Sequence, residues 1–346
     1  MQLPDEEPRL ITWDDLPHRT DLDEFERKIA KDPFDVKLRA LLMMRLVFWA
    51  SDQAELQSNR LRQILWFIEN VPDWKYCGSM FVQLKPTDFG FAAVENAWKN
   101  QMEKSDNVMR RVNNYLLHYS HQNKFMPELF DSLFENYKEN LWVRWLKELK
   151  NPDHNIFDEL LNEERNKPLP TTEEIEKIRA EFDEKLFHDT AYFENHAFNE
   201  YQKALKSFDE KFSLKDFAVI SGYSNKHCTF FFEMDFDPEI LMDRIRITSW
   251  TIRHMPWNKA FRGGLLISPF DNGSGFEGSM KILAPIKFFC DLWLEQFERL
   301  PEDLEIARNA AWYGKRIWLV APEDYKRMMK ALGKTAVGKR AKQLTR

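Results

Sequence analysis

Large apolar side chains recur every three or four residues along most of this chain, and that spacing constrains its fold most strongly. The period matches one face of an α-helix. Amphipathic helices bury such stripes by stacking on their neighbours, so the pattern predicts paired, antiparallel helices. The clearest stripes lie in residues 36–50, 60–71, 92–104, 108–120 and 127–149, where Leu, Ile, Val, Phe and Trp predominate.

Composition agrees with helix-on-helix packing. The 346 residues include 28 Phe and 12 Trp but only 11 Gly, and abundant large side chains with little glycine favour helices over turn-rich β architecture. The length exceeds what one ordinary core absorbs, so two domains or an elongated repeat array are expected.

Charge and cysteine usage narrow the class of partner and the compartment. The formal net charge of −6 argues against nucleic acid, except through the basic C-terminal residues Lys334, Lys339, Arg340 and Lys342. Three widely spaced cysteines predict a reducing compartment without disulfides. The first residues lack the apolar core of a signal peptide, and no apolar run approaches the roughly 20 residues of a membrane span. We therefore expect a cytoplasmic protein.

Breaks in the helical pattern predict five segments. Residues 151–170 are polar and proline-bearing, and Thr171 with Glu174 then forms a capping-box pattern that opens a bracing helix. The predicted segments are an extended 1–20, a helical repeat half at 21–150, a linker with connecting helices at 151–215, a second repeat half at 216–332 and a flexible basic tail at 333–346.

Three short segments leave room for a small sheet in the C-terminal half. Residues Phe217–Ile220, Thr229–Met234 and Ile317–Val320 are β-branched or aromatic, as is typical of strands. A mainly α fold with a few short strands in that half therefore stays open beside an all-helical one.

The two halves resemble one another in sequence. Asp32-Pro33 and Asp237-Pro238 each precede an apolar helix, and a Trp-x-x-Gln helix follows later in both halves. These motifs are Trp98 with Gln101 and Trp293 with Gln296. Further on, Arg110 and Asn113 correspond loosely to Glu305 and Asn309, and Tyr115 to Tyr313. The pattern favours an internal duplication.

The segment 21–50, a helix that ends in Lys-Asp-Pro before a second helix, resembles a unit of the tetratricopeptide-type helical repeat. Residues 92–120 are similar, with Ala-Trp-Lys-Asn-Gln, then Glu-Lys-Ser-Asp-Asn, then a new helix. The likeness covers about half the chain and departs from the family in its irregular period and in lacking the usual small residues at helix contacts. It implies a TPR-like α-solenoid whose concave face holds a peptide or another protein.

Motifs for catalysis are weak. Gly333-Lys334-Thr335 resembles the end of a phosphate loop, but Met328 occupies the position where that motif needs a glycine. Glu233, Asp235 and Asp237 would share one face of a strand, as a divalent cation requires, while the competing interpretation makes Asp237 a helix cap before Pro238. We favour the cap, and expect no metal or cofactor.

The sequence thus predicts a non-catalytic protein–protein interaction scaffold, an adaptor, regulator or inhibitor, that binds a protein or peptide in a helical groove. Arginine beside aromatic side chains, as at Arg60, Arg62 and Trp66 or at Arg308 and Trp312, suits cation–π contacts or the binding of an acidic peptide. The alternative is a metal-dependent enzyme with an α+β C-terminal domain that uses Glu233, Asp235 and His254. The candidate partner-binding residues are Arg39, Arg111, Asn114, Arg308 and Asn309.

Overall fold

The chain is mainly helical. The computed structural model describes residues 21–49, 53–78, 82, 84–105, 107–122, 127–150, 157–182, 216, 238–258, 283–318 and 321–345, and within these ranges it has fourteen α-helices, one short 3₁₀ turn and no strand. In the same ranges, no helix is both long and apolar enough to cross a membrane.

The helices are numbered in chain order. The first seven are α1 (Leu22–Lys31), α2 (Val36–Trp49), α3 (Ala54–Asn70), α4 (Phe91–Lys104), α5 (Val108–Gln122), α6 (Pro127–Tyr137) and α7 (Leu141–Lys150). They are followed by α8 (Asp158–Asn166), α9 (Thr172–Glu181), α10 (Pro238–His254), α11 (Leu283–Arg299), α12 (Leu304–Arg316), α13 (Pro322–Leu332) and α14 (Ala336–Leu344).

Contacts divide the chain into two compact units, with the boundary inside α7. The N-terminal unit spans residues 1–147 and 226–236, and the C-terminal unit spans 148–225 and 237–346. In the N-terminal unit, α2, α3 and α4 enclose the main core, where the rings of Phe67 and Trp74 stack with centroids 5.6 Å apart. In the C-terminal unit, Ile175, Met255 and Ile306 join α9, α10 and α12 through a second core.

In each unit, a buried asparagine fixes the turn after a 17-residue helix. In the N-terminal unit, Asn113 on α5 donates from Nδ2 to the carbonyl oxygens of Pro72, at 3.0 Å, and Trp74, at 2.9 Å, just after α3. In the C-terminal unit, Asn309 on α12 donates to the carbonyls of Pro256, at 2.8 Å, and Asn258, at 2.9 Å, just after α10. Both asparagines are fully buried.

A buried glutamine repeats this correspondence. Nε2 of Gln101 on α4 donates to the carbonyl of Glu69, the second-last residue of α3, at 3.4 Å. Nε2 of Gln296 on α11 donates to the carbonyl of Arg253, the second-last residue of α10, at 3.1 Å. These contacts align α10 with α3, whereas the sequence comparison aligned it with α2, the helix that follows Asp32-Pro33.

The caps of α5 and α12 also match. Oδ1 of Asn107 accepts from the backbone N–H of Met109, at 2.8 Å, and of Arg110, at 3.4 Å. Oδ1 of Asp303 accepts from two N–H groups at the start of α12, at 2.9 and 3.1 Å. Each cap lies six residues before the buried asparagine of its helix. Counted from that asparagine, Arg110 is equivalent to Ile306, not to Glu305 as the sequence comparison had it.

Several local predictions are confirmed and others are wrong. The capping box at Thr171 and Glu174 is present, with the Glu174 N–H 3.2 Å from Thr171 Oγ1. The single helix predicted for 127–149 is two helices, because the Asn140 side chain caps a new start at Trp142 and Val143. Phe217–Ile220 and Thr229–Met234 lie outside the described residues.

The end of the chain also differs from its prediction. Ile317, predicted to begin a strand, follows α12 as its C-cap and is buried. Residues 336–344, predicted to belong to a flexible tail, form α14, whose Gly338 and Ala341 are buried. Gly338 permits this packing, because a Cβ there would lie 2.1 Å from the Leu332 carbonyl oxygen. The basic residues of this segment favoured a flexible tail, but its small residues Gly338 and Ala341 let a helix pack closely against its neighbours.

Candidate functional site

A groove of about 810 Å³ lies in the N-terminal unit among α1, α2, α3 and the turn before α4. Its size falls in the range of roughly 300 to 1,000 Å³ that is typical of ligand sites. Apolar side chains from α1, α3 and the turn before α4 form much of the wall, and charged groups lie among them. The lining residues include Glu26, Ile29, Arg39, Leu61, Arg62, Gln63, Leu65, Trp66, Glu69 and Phe89.

Two exposed aromatic side chains flank this groove. Phe34 is 59% exposed and Phe89 is 57% exposed, which is unusual for side chains of that size. The Phe34 ring lies 6.2 Å from the Trp66 ring in a tilted arrangement. Each ring left in water forgoes roughly 1.5 to 3 kcal/mol of burial free energy. Exposed apolar side chains beside an apolar groove are typical of interaction surfaces.

The position of Phe89 is fixed by its backbone neighbours. The Lys85 N–H donates to the Asp88 carboxylate at 2.8 Å, and the Asp88 N–H donates to the Lys85 carbonyl at 2.8 Å, so the turn is closed twice. Gly90 then adopts a left-handed conformation with φ of 85°, which a side chain would strain. A Cβ at Gly90 would also lie 2.4 Å from Leu61. Phe89 is therefore presented by a preorganised corner.

Arg39 supplies a buried positive charge to the groove. The residue is 7% exposed, and its guanidinium lies 4.2 Å from the centre of the Trp66 ring. Nε donates to the Pro33 carbonyl at 2.9 Å, and Nη1 donates to Gln63 Oε1 at 2.6 Å. Burial lowers the pKa of Arg39, repulsion from Arg62 lowers it further, and Asp35 opposes both effects. The two groups that accept hydrogen bonds from Arg39, the Pro33 carbonyl and the Gln63 amide oxygen, are both neutral.

A chain of polar side chains on α1 and α3 orients Gln63 toward Arg39. Glu26 Oε1 accepts from Asn59 Nδ2, at 2.6 Å, and from Arg62 Nη2, at 2.7 Å. Asn59 Oδ1 in turn accepts from Gln63 Nε2 at 3.4 Å. With its amide nitrogen engaged in this way, Gln63 points its oxygen at the guanidinium. The network fixes the Arg39 side chain before any partner arrives.

Among the predicted binding residues, Arg39 lines this groove and the other four do not. Arg111 and Asn114 lie on α5, where Asn114 is buried. Arg308 belongs to the C-terminal unit and pairs with Glu305 at 2.8 Å. Asn309 holds the turn at Pro256 and is fully buried, so its role is structural. Arg39, Arg111 and Asn114 thus belong to the N-terminal unit, and Arg308 and Asn309 to the C-terminal unit.

Sequence reasoning also mispaired the arginines and aromatic rings. The guanidinium above Trp66 belongs to Arg39, not to Arg62, and the one 5.2 Å from the Trp312 ring belongs to Arg316. Gln63 and Asn59 were missed because they do not belong to the apolar stripe of α3. Their spacing of four on one helix face was the available signal.

The weaker motifs have structural roles where they are described. Thr335 of Gly333-Lys334-Thr335 caps α14, with Oγ1 accepting from the Gly338 N–H at 2.9 Å. Nδ1 of His254 lies 2.9 Å from the Trp250 carbonyl, and its ring stacks on Trp250. Glu233, Asp235 and Asp237 lie outside the described residues. Elsewhere, no cluster of three or more His, Cys, Asp or Glu side chains could hold a metal ion in the part of the chain that is described.

No protein-family model, curated protein or solved structure matches this chain.

Proposed function

We propose that this protein is a non-catalytic interaction scaffold, an adaptor, regulator or inhibitor, which binds a segment of a partner protein in the groove of its N-terminal unit. One observation carries the proposal: exposed aromatic side chains flank a groove that also contains a buried, preoriented arginine. Aromatic residues and arginine are the types that dominate binding energy at protein interfaces.

The rigidity of the groove supports binding over a purely structural role. Phe89 is fixed by the turn at Lys85–Asp88 and by Gly90, and Arg39 is fixed by Gln63 and Pro33. A partner that meets fixed side chains loses less free energy to ordering them.

The helical-repeat part of the proposal is supported by the contacts that the two units share. Trp98 and Trp293 are both 1% exposed, and each lies one turn before the glutamine that binds the preceding helix of its unit. With the matching asparagines and caps, this supports two related halves of TPR-like helix pairs. The free thiols of Cys77 and Cys290 accord with the cytoplasmic location we propose.

A peptide selection tests the groove directly. A random 12-residue peptide library displayed on phage is selected on the full-length protein, and the enriched peptides are synthesised for affinity measurement by isothermal titration calorimetry. We expect Phe89→Ala to weaken binding about tenfold or more, as truncation of a central aromatic contact does. Trp318→Ala is the matched control, because Trp318 is 54% exposed but lies in the C-terminal unit.

Two results would contradict the proposal. One is a selection that enriches no peptide, and the other is a set of peptides whose affinities are unchanged by both Phe89→Ala and Trp66→Ala.

A further inference from the structure

We infer that the groove selects a peptide segment in which an aspartate or glutamate lies beside a large apolar residue, with Arg39 binding the side-chain carboxylate. This inference rests on the proposed function and specifies the chemistry of its partner.

The Arg39 guanidinium has hydrogen-bond donors that its described contacts do not use. A guanidinium has five N–H donors, and the described contacts of Arg39 use one on Nε and one on Nη1. The residue is more than nine-tenths buried and lines the groove, yet it forms no ion pair with any residue the structure describes. Burying a cation without an anionic partner is unfavourable, so a carboxylate that enters the groove gains a strong interaction.

The C-terminal unit contains a buried arginine whose charge is paired with a carboxylate of the same unit. Arg253 is 2% exposed, and its Nη1 lies 2.8 Å from the Glu164 carboxylate. Lys167 and Ser249 hydrogen-bond the same carboxylate, so the charges are matched inside the unit. Arg39 has Gln63 and a backbone carbonyl in the place of such a carboxylate.

The nearby carboxylates are already engaged or lie at the edge of the groove. Glu26 accepts from Arg62 and Asn59, and the Asp35 carboxylate accepts from the Leu38 N–H at the start of α2, at 2.8 Å. Glu69 lines the groove but is exposed to water. None of these three forms an ion pair with Arg39.

Two of these carboxylates line the groove, and they favour a ligand with a single negative charge over a phosphorylated one. Glu26 and Glu69 both line the groove, and a phosphate that carries close to two negative charges is repelled more strongly than a carboxylate. Beside Arg39, the side chains of Ile29, Leu61 and Leu65 offer an apolar wall. This juxtaposition fits an acidic residue next to a large apolar one.

The test uses the tightest peptide from the selection and a second version in which its Asp or Glu is replaced by Asn or Gln. Titration calorimetry on the wild-type protein is expected to give a dissociation constant roughly 10- to 100-fold higher for the amide peptide. With Arg39→Gln, both peptides should bind equally and as weakly as the amide peptide binds wild type. Arg340→Gln, an exposed change in the C-terminal unit, should preserve the difference.

The acid and amide peptides are compared on the wild-type protein. This comparison therefore tests the role of the carboxylate even if Arg39→Gln does not fold. The inference is overturned if the selected peptides lack acidic residues, if the acid and amide peptides bind equally, or if a phosphoserine at that position binds tighter than the acid. If one of these outcomes occurs and Phe89→Ala still weakens peptide binding, the proposal that the protein is an interaction scaffold stands. If the selection enriches no peptide, both that proposal and this inference are overturned.

Discussion

Replacing either buried asparagine, Asn113 or Asn309, by alanine should destabilise its own unit. Each side chain is fully buried and donates two hydrogen bonds to backbone carbonyls in the turn after a long helix. The residues that carry those carbonyls, Pro72 and Trp74 or Pro256 and Asn258, are buried as well. After the change, the Pro72 or Pro256 carbonyl loses this donor in a place that water reaches poorly. The Trp74 or Asn258 carbonyl loses one hydrogen bond, and Trp74 keeps a second one from the Cys77 N–H at 2.9 Å.

The magnitude follows from these two contacts. A buried acceptor left without a partner costs about 1 to 3 kcal/mol. One such acceptor, together with a second lost hydrogen bond worth about 0.5 to 1.5 kcal/mol, should lower the free energy of unfolding by about 1.5 to 4.5 kcal/mol in either variant. Because the distances lie between 2.8 and 3.0 Å in both units, the two losses should agree within about 1 kcal/mol.

Urea denaturation monitored by circular dichroism gives the loss of stability, and hydrogen–deuterium exchange locates it. Asn113→Ala should accelerate exchange at 71–78, and Asn309→Ala should accelerate it at 253–258. Asn136→Ala is the matched control, because Asn136 is exposed and its Nδ2 bonds only the Ser132 carbonyl one turn back. That variant should change stability by less than about 0.5 kcal/mol.

The prediction is wrong if Asn113→Ala and Asn309→Ala change the free energy of unfolding as little as the control does. It also fails if one of them is severe and the other neutral, since the matched contacts would then not hold equivalent turns.

Two further outcomes follow from local geometry. Gly338→Ala should lower the melting temperature by several degrees, because its Cβ would overlap the Leu332 carbonyl at 2.1 Å, whereas Gly333→Ala meets its nearest atom at 3.3 Å and should cost less. Burial lowers the pKa of His254 below its ordinary 6.5, so the unfolded chain takes up a proton first as pH falls. The resulting stability is present above about pH 6.5 and is lost on acidification, and His254→Gln should flatten this part of the pH profile between about 7 and 5. An unchanged Gly338→Ala melt, or an unchanged His254→Gln profile, would contradict each argument.

The local helices were largely predictable because their causes are local. Leu, Ile and Val spaced three and four apart in 60–71 predicted the core of α3, and Thr171 with Glu174 predicted the start of α9. The failure at 127–149 has a local cause too, because Asn140 competes as a cap within an apolar stripe that continues past it. Arg39 was named as a candidate from its place on a helix face, but its contact with the Trp66 ring was not predicted.

The site depended on contacts between residues far apart in sequence. Gln63 reaches Arg39 across 24 positions, and Asn59 reaches Glu26 across 33, so no period within one helix could pair them. The exposure of Phe89 was equally invisible, because a phenylalanine in a Phe-rich chain is read first as core.

By itself, the sequence determined where most helices form and which faces they bury, since periodic apolar side chains and capping groups act within a few residues. It also marked Trp98, Gln101 and Asn113 as counterparts of Trp293, Gln296 and Asn309. Tertiary structure decided which helix pairs with which counterpart, and it decided that Arg39 is buried against Trp66 with no acidic partner among the described residues. Burial and charge pairing depend on what surrounds a side chain in three dimensions, and the linear order of residues does not specify those surroundings directly.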